Sequence, residues 1–187
     1  MGNRGVIHKD KQIVRVFRHN AWITCVLKFK GRKRTVMTPD RWTELVFLDE
    51  ATAFAAGHRP CFECRRDDAQ RFKSCWIAGN PEHHFSMKTS IRQVDEIIHQ
   101  ERIDRENNKV VHQRSSTDLP AGTFTMMNDD AYVFSNGRLH RWTPFGYEDS
   151  IAVPEASMLT VLTPRSIVNA FRAGYVPRAA APRPVLT

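Results

Sequence analysis

Residues 46–65 read VFLDEATAFAAGHRPCFECR, and this stretch carries the strongest structural signals in the chain. The apolar run Leu45–Leu48 predicts a short buried strand. Asp49 is a typical N-cap for the alanine-rich segment Glu50–Ala56, and Gly57 is the residue type that most often ends a helix. The sequence therefore predicts a strand and a short helix that lead directly into a pair of cysteines.

Cys61 and Cys64 are separated by two residues, the spacing with which zinc knuckles present two thiolates to one ion. Structural zinc takes four ligands, so further donors are needed, and the candidates are Cys25, Cys75 and His58. The apolar surroundings of Cys25 and Cys75 equally predict small buried thiols. A redox dithiol is a third interpretation, but the neighbouring elements do not form a βαβ pattern of the thioredoxin type. The predicted cofactor is Zn²⁺.

The segment Gly-His-Arg-Pro-Cys-Phe-Glu-Cys, with the helix before it, resembles the second half of the metal-binding domain of the Ada DNA-repair protein family over about residues 45–66. The resemblance implies a zinc-supported fold, contact with DNA phosphates and metal binding by Cys61 and Cys64. The family's first cysteine pair has no counterpart here, because residues 31–35 contain no cysteine and Cys25 is the only upstream thiol. Methyl acceptance from DNA is therefore not carried over.

The net charge of +8 is concentrated near the start of the sequence. Residues 1–43 contain eleven Lys and Arg against Asp10 and Asp40, a balance of +9, while the remainder has 17 basic and 18 acidic residues. The run KFKGRKR at 28–34 is typical of a phosphate-facing loop, although a solvated hairpin tip has the same composition. The predicted nucleic-acid contacts are Lys28, Lys30, Arg32, Lys33, Arg34, Arg59, Arg65 and Arg66.

The remaining patterns predict an α+β fold with a strand-rich N-terminal part containing the Ada-like zinc-knuckle element. Its strands are predicted over Gln12–Phe17, Ala21–Phe29 and Arg34–Met37, and a helix over Arg65–Trp76 follows the cysteine pair. The second and third strands would form a hairpin with the basic residues at its tip.

A central helix should begin at the N-cap Ser90 and bury one apolar stripe. The stripe consists of Ile91, Val94, Ile97 and Ile98. Its solvent side would carry Asp95, Glu96 and His99. These three residues are one of several candidate metal or catalytic groups, and no group has a diagnostic spacing.

The C-terminal third predicts an antiparallel sheet closed by a terminal helix. The expected strands are Gly122–Met127, Ala131–Phe134, Arg138–Trp142 and Met158–Leu162. Asn136-Gly137 is typical of a type I′ hairpin turn. Thr163 is the expected N-cap of the last helix, which Gly174 should end.

These patterns divide the chain into a basic knuckle-containing region (1–80), a central helix (81–110), a β region with a helix (111–176) and a flexible tail (177–187). The favoured function is noncatalytic binding of nucleic acid, with DNA preferred to RNA, around a structural zinc. A metal-dependent nuclease or repair enzyme and a zinc-supported interaction module remain alternatives. No signal peptide or transmembrane run is present, so a cytoplasmic location without a membrane partner is expected.

Overall fold

A computed structural model describes residues 1–31 and 35–180 of the 187-residue chain. It confirms the α+β class, with four α-helices and three β-sheets in this part of the chain. The strands are β1 (Gly2–Asn3), β2 (His8–Lys9), β3 (Gln12–Ile13), β4 (Ile23–Thr24), β5 (Arg59–Pro60), β6 (His112–Ser115), β7 (Phe124–Met127), β8 (Asp130–Ser135), β9 (Arg138–Thr143), β10 (Gly146–Ala152) and β11 (Met158–Val161). The helices are α1 (Glu50–Ala55), α2 (Arg66–Gly79), α3 (Ile91–Arg102) and α4 (Arg165–Arg172).

The N-terminal strands are far shorter than predicted. The expected strand over residues 12–17 is reduced to β3, and the one over residues 21–29 is reduced to β4. Leu45 forms a single bridge with Gly2, and residues 46–48 are not in a strand. Val14 and Val16 are exposed, so extending β3 would bury none of the apolar surface that rewards strand pairing. Thr35–Met37 is a loop, and Arg34 lies outside the described residues.

The three-stranded sheet β1-β4-β5 sets up the region around the cysteines. Strand β4 pairs antiparallel with β1 and parallel with β5, with Ile23 opposite Arg59 and Thr24 opposite Pro60. Because β4 and β5 run in the same direction, the residues that follow them leave the sheet at the same edge. Those residues are Cys25 and Cys61.

The helix signals are largely confirmed. Asp49 caps α1 by accepting a hydrogen bond from the Thr52 backbone N–H at 2.8 Å. Gly57 has φ +77°, and a Cβ there would approach Arg102 Cδ within 2.4 Å, so both conformation and space require glycine. Ser90 caps α3 by accepting from the Arg92 N–H.

Helix α3 buries one residue that was predicted to face solvent. Val94 and Ile98 are buried as expected, but Asp95, assigned to the solvent side, is only 3% exposed. It is buried because Arg59 binds its carboxylate, which makes an otherwise costly charge compatible with the interior. Glu96 is exposed, as predicted.

The C-terminal sheet is antiparallel throughout, in the order β10-β9-β8-β7-β11-β6. Asn136 (φ +50°) and Gly137 (φ +73°) form the expected tight turn between β8 and β9. Strand β10 was not predicted. Thr163 is not the N-cap of α4, because its hydroxyl accepts from the Phe124 N–H and the helix begins after Pro164.

One hydrophobic core crosses the predicted segment boundaries. Its buried members are Phe54, Phe72, Trp76, Val94, Ile98, Ile167, Ala170, Phe171 and Tyr175. The backbone N–H groups of Arg178 and Ala180 donate to Glu50 and Asp49, so residues 177–180 are not a free tail. The rest of the predicted tail, 181–187, lies outside the described residues. In the described part of the chain, no helix has the length and apolar character needed to cross a membrane.

Candidate metal centre

Parallel strand pairing brings Cys25 next to Cys61. The Cys61 N–H donates to the Thr24 carbonyl at 3.0 Å, which continues the β4–β5 pairing by one residue. The Cys25 N–H donates to the Met1 carbonyl at 2.7 Å and holds the other side of the same segment. Two cysteines that are 36 positions apart in sequence are therefore fixed side by side by backbone hydrogen bonds.

A tight turn then returns Cys64 to the same point. The Arg65 N–H donates to the Cys61 carbonyl at 3.0 Å, and the Glu63 N–H donates to Cys61 Sγ at 3.3 Å. The three sulfur atoms of Cys25, Cys61 and Cys64 all lie within 4.8 Å of one another. Sulfurs at the corners of a zinc tetrahedron with bonds of about 2.3 Å are about 3.8 Å apart. Small movements of the side chains would therefore bring all three into bonding distance of one ion.

The three cysteine thiols differ in pKa because they are hydrogen-bonded and buried to different extents. The Cys25 thiol donates a hydrogen bond to Cys61, and backbone N–H groups of Cys64 and Glu63 add to it, lowering the pKa of Cys61 to about 5. The same hydrogen bond and burial raise the pKa of Cys25, while burial raises the pKa of Cys64. One thiolate is thus stabilised beside two thiols. A divalent cation would take the place of the shared protons, which are released when thiolates bind a metal.

The structure decides among the predicted further ligands. Cys25 joins the pair, whereas His58 and Cys75 do not. His58 is fully buried between Trp22 and Phe47, and its Nε2 accepts from Arg4 at 3.2 Å. Cys75 packs against the helical core. Within residues 1–31 and 35–180, the three cysteines form the only cluster of three or more potential metal ligands.

Two of the predicted phosphate contacts are engaged inside the protein. Arg59 is 5% exposed and binds both oxygens of Asp95 at 2.7 Å. Arg65 forms ion pairs with Glu50 and Asp68 and also donates to the Thr24 hydroxyl. The prediction that Arg59 and Arg65 face phosphates is therefore replaced by a structural role. Arg59 joins β5 to α3, and Arg65 joins the start of α2 to α1 and β4.

The other predicted basic residues have different positions. Lys28, Lys30 and Arg66 are exposed, and Arg32, Lys33 and Arg34 lie outside the described residues. Sequence reasoning did not single out five further exposed cations of the same region, although they contribute to its charge of +9. They are Lys9, Lys11, Arg15, Arg18 and Arg41. Among the described residues, none of these eight exposed cations forms an ion pair with a carboxylate.

A second feature was not foreseen from the sequence. The guanidinium groups of Arg4 and Arg102 each lie 3.7 Å from the ring centre of Trp22. Arg102 also donates to the carbonyls of Gly57 and Asn20, which ties the end of α3 to both segments that precede the cysteines. Burial lowers the pKa of Arg102 to about 9. Such an arginine is indistinguishable in sequence from the exposed charges around it.

No protein-family model matches the chain, and neither the curated proteins nor the solved structures include a significant match to it. The resemblance to the Ada metal-binding domain therefore stays a prediction based on the residues of the knuckle.

Proposed function

We propose that the protein binds nucleic acid without catalysis, that its partner is DNA rather than RNA, and that one Zn²⁺ bound by Cys25, Cys61 and Cys64 supports its N-terminal region. The observation that carries the proposal is a three-sulfur cluster in a region whose exposed cations form no ion pair with a carboxylate among residues 1–31 and 35–180. Sulfur ligands in a cluster of this size favour zinc among the abundant divalent metals.

Three of the eight exposed cations belong to the same short segments as the ligands. Lys28 and Lys30 follow Cys25 closely, and Arg66 follows Cys64 by two residues. A metal bound to these cysteines would hold in place the backbone next to Lys28 and Lys30 and the backbone next to Arg66. Binding of nucleic acid should therefore depend on the metal even though no base or phosphate touches it.

The charge distribution supports a polyanionic partner. Each Lys or Arg that contacts a phosphate releases condensed counterions, so affinity falls steeply as salt rises. The +9 balance of residues 1–43 is not offset within that region, since it contains only Asp10 and Asp40 as acids. A surface of this kind gives affinity with little sequence preference, because phosphate contacts position a protein without reading bases.

A salt series tests the proposal directly. Fluorescence anisotropy with labelled duplex DNA, and with RNA of the same sequence, should show binding that weakens with salt. Substituting Lys28 and Lys30 by Ala together should reduce the slope of log K against log salt by about 2, since each lost contact removes about 0.9. Lys88→Ala, an exposed cation before α3, is the matched control and should leave the slope unchanged. Absence of binding at low salt, or binding that ignores salt, would refute the proposal.

A specific observation favours a second candidate, a zinc-supported protein-interaction module. Six aliphatic side chains of the N-terminal region are 39% to 85% exposed: Ile13, Val14, Val16, Leu27, Val36 and Val46. Apolar surface is typical of a protein-binding site where it forms a contiguous patch, and this candidate requires such a patch of these side chains. This candidate predicts one bound metal per chain together with no affinity for DNA or RNA in the same salt series.

The nuclease alternative has a separate test. It requires histidines or carboxylates that converge on a metal, and the described residues contain no such cluster besides the three cysteines. The metal-loaded protein, incubated with DNA and RNA in the presence of Mg²⁺, Mn²⁺ or Zn²⁺, should leave both intact. Turnover that disappears on chelation and with Cys61→Ser would replace the noncatalytic function by an enzymatic one.

A further inference from the structure

The candidate metal centre has one ligand fewer than a structural zinc site. Structural zinc is bound by four protein ligands, whereas sites with three protein ligands keep a position for an exogenous one. In residues 1–31 and 35–180, no fourth cysteine, histidine or carboxylate atom joins the sulfurs of Cys25, Cys61 and Cys64. The cluster therefore matches the ligand count of an open site.

A cavity of about 220 Å³ lies beside Cys25. Phe47 and Leu48 form an apolar part of its wall, and Thr24, Glu50 and Arg65 form a polar part. Such a volume equals about seven waters at about 30 Å³ each, so it holds a small organic molecule. Cys25 is one of the residues that line the cavity, which is large enough for a donor atom with a short organic group.

The carboxylates of the cavity wall are committed to other partners. Asp49 accepts from the Thr52 N–H, the Tyr147 hydroxyl and the Ala180 N–H. Glu50 accepts from Arg65, from the Tyr175 hydroxyl and from the Arg178 N–H. These contacts use both oxygens of each group. Neither acid is free to become the fourth ligand without breaking the cap of α1 or the links between α1 and the C-terminal segment.

We propose that the fourth coordination position is open towards this cavity and takes a small organic thiol, with solvent there in its absence. The proposal rests on the metal centre of the proposed function. A sulfur donor matches the soft, thiolate-rich ligand set, and its short alkyl group would pack against Phe47 and Leu48. When the thiol binds, one metal–sulfur bond forms, one water leaves and the thiol proton passes to solvent.

Cobalt substitution provides the test, with 2-mercaptoethanol as the probe. The full chain is loaded with Co²⁺, the metal content is measured, and the thiolate-to-cobalt charge-transfer absorption is followed as the probe is added. A change from three to four sulfurs should raise this absorption by about one third in a saturable way, at a constant ratio of one cobalt per chain. Ethylene glycol, which lacks sulfur, should have no such effect.

The outcomes separate this proposal from the metal centre itself. One bound cobalt whose spectrum ignores the thiol would show that the chain completes its own coordination, and it would overturn the open position alone. Loss of cobalt to the thiol would also overturn it. Failure of the wild-type chain to bind cobalt would overturn both proposals. Cys75→Ser, which removes a thiol outside the cluster, should respond to the probe as the wild type does.

A second variant examines the cavity. Phe47→Ala removes an aromatic wall without touching a ligand, so a bulkier probe, benzyl mercaptan, should bind about tenfold more tightly than to the wild type. Equal affinities for the two proteins would show that the thiol does not occupy this cavity. The constant ratio of one cobalt per chain confirms that the variant retains the metal centre.

Discussion

The N-terminal region and the C-terminal sheet differ in the contacts that stabilise them. Strands β1 to β5 contain two residues each, whereas β6 to β11 contain four to seven and form one continuous antiparallel ladder. The first region relies on single contacts: three cysteines, a buried Arg59–Asp95 pair and two arginines on Trp22. Where regular pairing is sparse, each such contact should matter more.

Loss of a metal ligand should have the largest effect. Cys25→Ser is expected to lower the affinity for Zn²⁺ by more than the 10–100-fold that is typical of residues behind the ligands. Because metal binding is coupled to folding, the amides of β4 and β5 should lose protection from hydrogen exchange while those of β7 to β9 keep it. Elemental analysis and exchange measured by NMR would check both parts.

The control for this prediction is Cys75→Ser, since Cys75 lies in α2 outside the cluster. Its metal content should remain one per chain. If Cys25→Ser retained zinc with wild-type affinity, the three-sulfur centre would be disproved. If the C-terminal strands also lost protection, the two regions would form one cooperative unit.

The next largest effect should come from the buried ion pair. Asp95→Ala leaves the Arg59 guanidinium buried without its carboxylate, at a cost of about 3–5 kcal/mol in the free energy of unfolding. Asp118→Ala removes a carboxylate from exposed Arg172 and from Arg114, and it should cost about 0–1 kcal/mol. Urea denaturation of the two variants and the wild type compares these costs. Similar costs would contradict the view that the N-terminal region depends on this pair.

A core substitution in the C-terminal sheet tests whether the sheet contributes to the metal centre. Leu139, in β9, is fully buried with Leu159, Val161 and Val168. Leu139→Ala should cost about 2–5 kcal/mol by loss of buried surface and creation of a cavity. The metal content should stay at one per chain, because no ligand comes from the sheet. Loss of zinc in a variant that remains folded would show that the sheet supports the centre.

The sequence predicted well those elements that are specified locally. The caps Asp49 and Ser90, the stop at Gly57 and the turn at Asn136-Gly137 depend on the conformational and hydrogen-bonding preferences of one or two residues, and all are present. The cysteine pair was equally visible, because two ligands at short spacing are a local signal. These features do not require knowledge of what packs against them.

The rest depends on contacts between distant segments. Cys25 reaches Cys61 through the parallel pairing of β4 and β5, which the β-propensity of residues 21–29 does not specify. In sequence, Arg59 cannot be told from the basic residues that are exposed. Its burial follows from the position of Asp95 on α3. Sequence patterns give the sign of a charge but not its partner. The position of Cys25 beside the cysteine pair and the internal ion pairs of Arg59 and Arg65 could be assigned only once the fold was known.

The smallest effect should come from the turn between β8 and β9. Asn136 has φ +50°, a left-handed conformation that asparagine tolerates better than alanine. Asn136→Ala should therefore reduce the free energy of unfolding by about 1–2 kcal/mol, which urea denaturation resolves. Because the turn belongs to a long ladder, neighbouring pairs such as Phe134 with Leu139 should keep their register and their slow exchange. A shifted register would instead show that this sheet, like the N-terminal region, depends on single contacts.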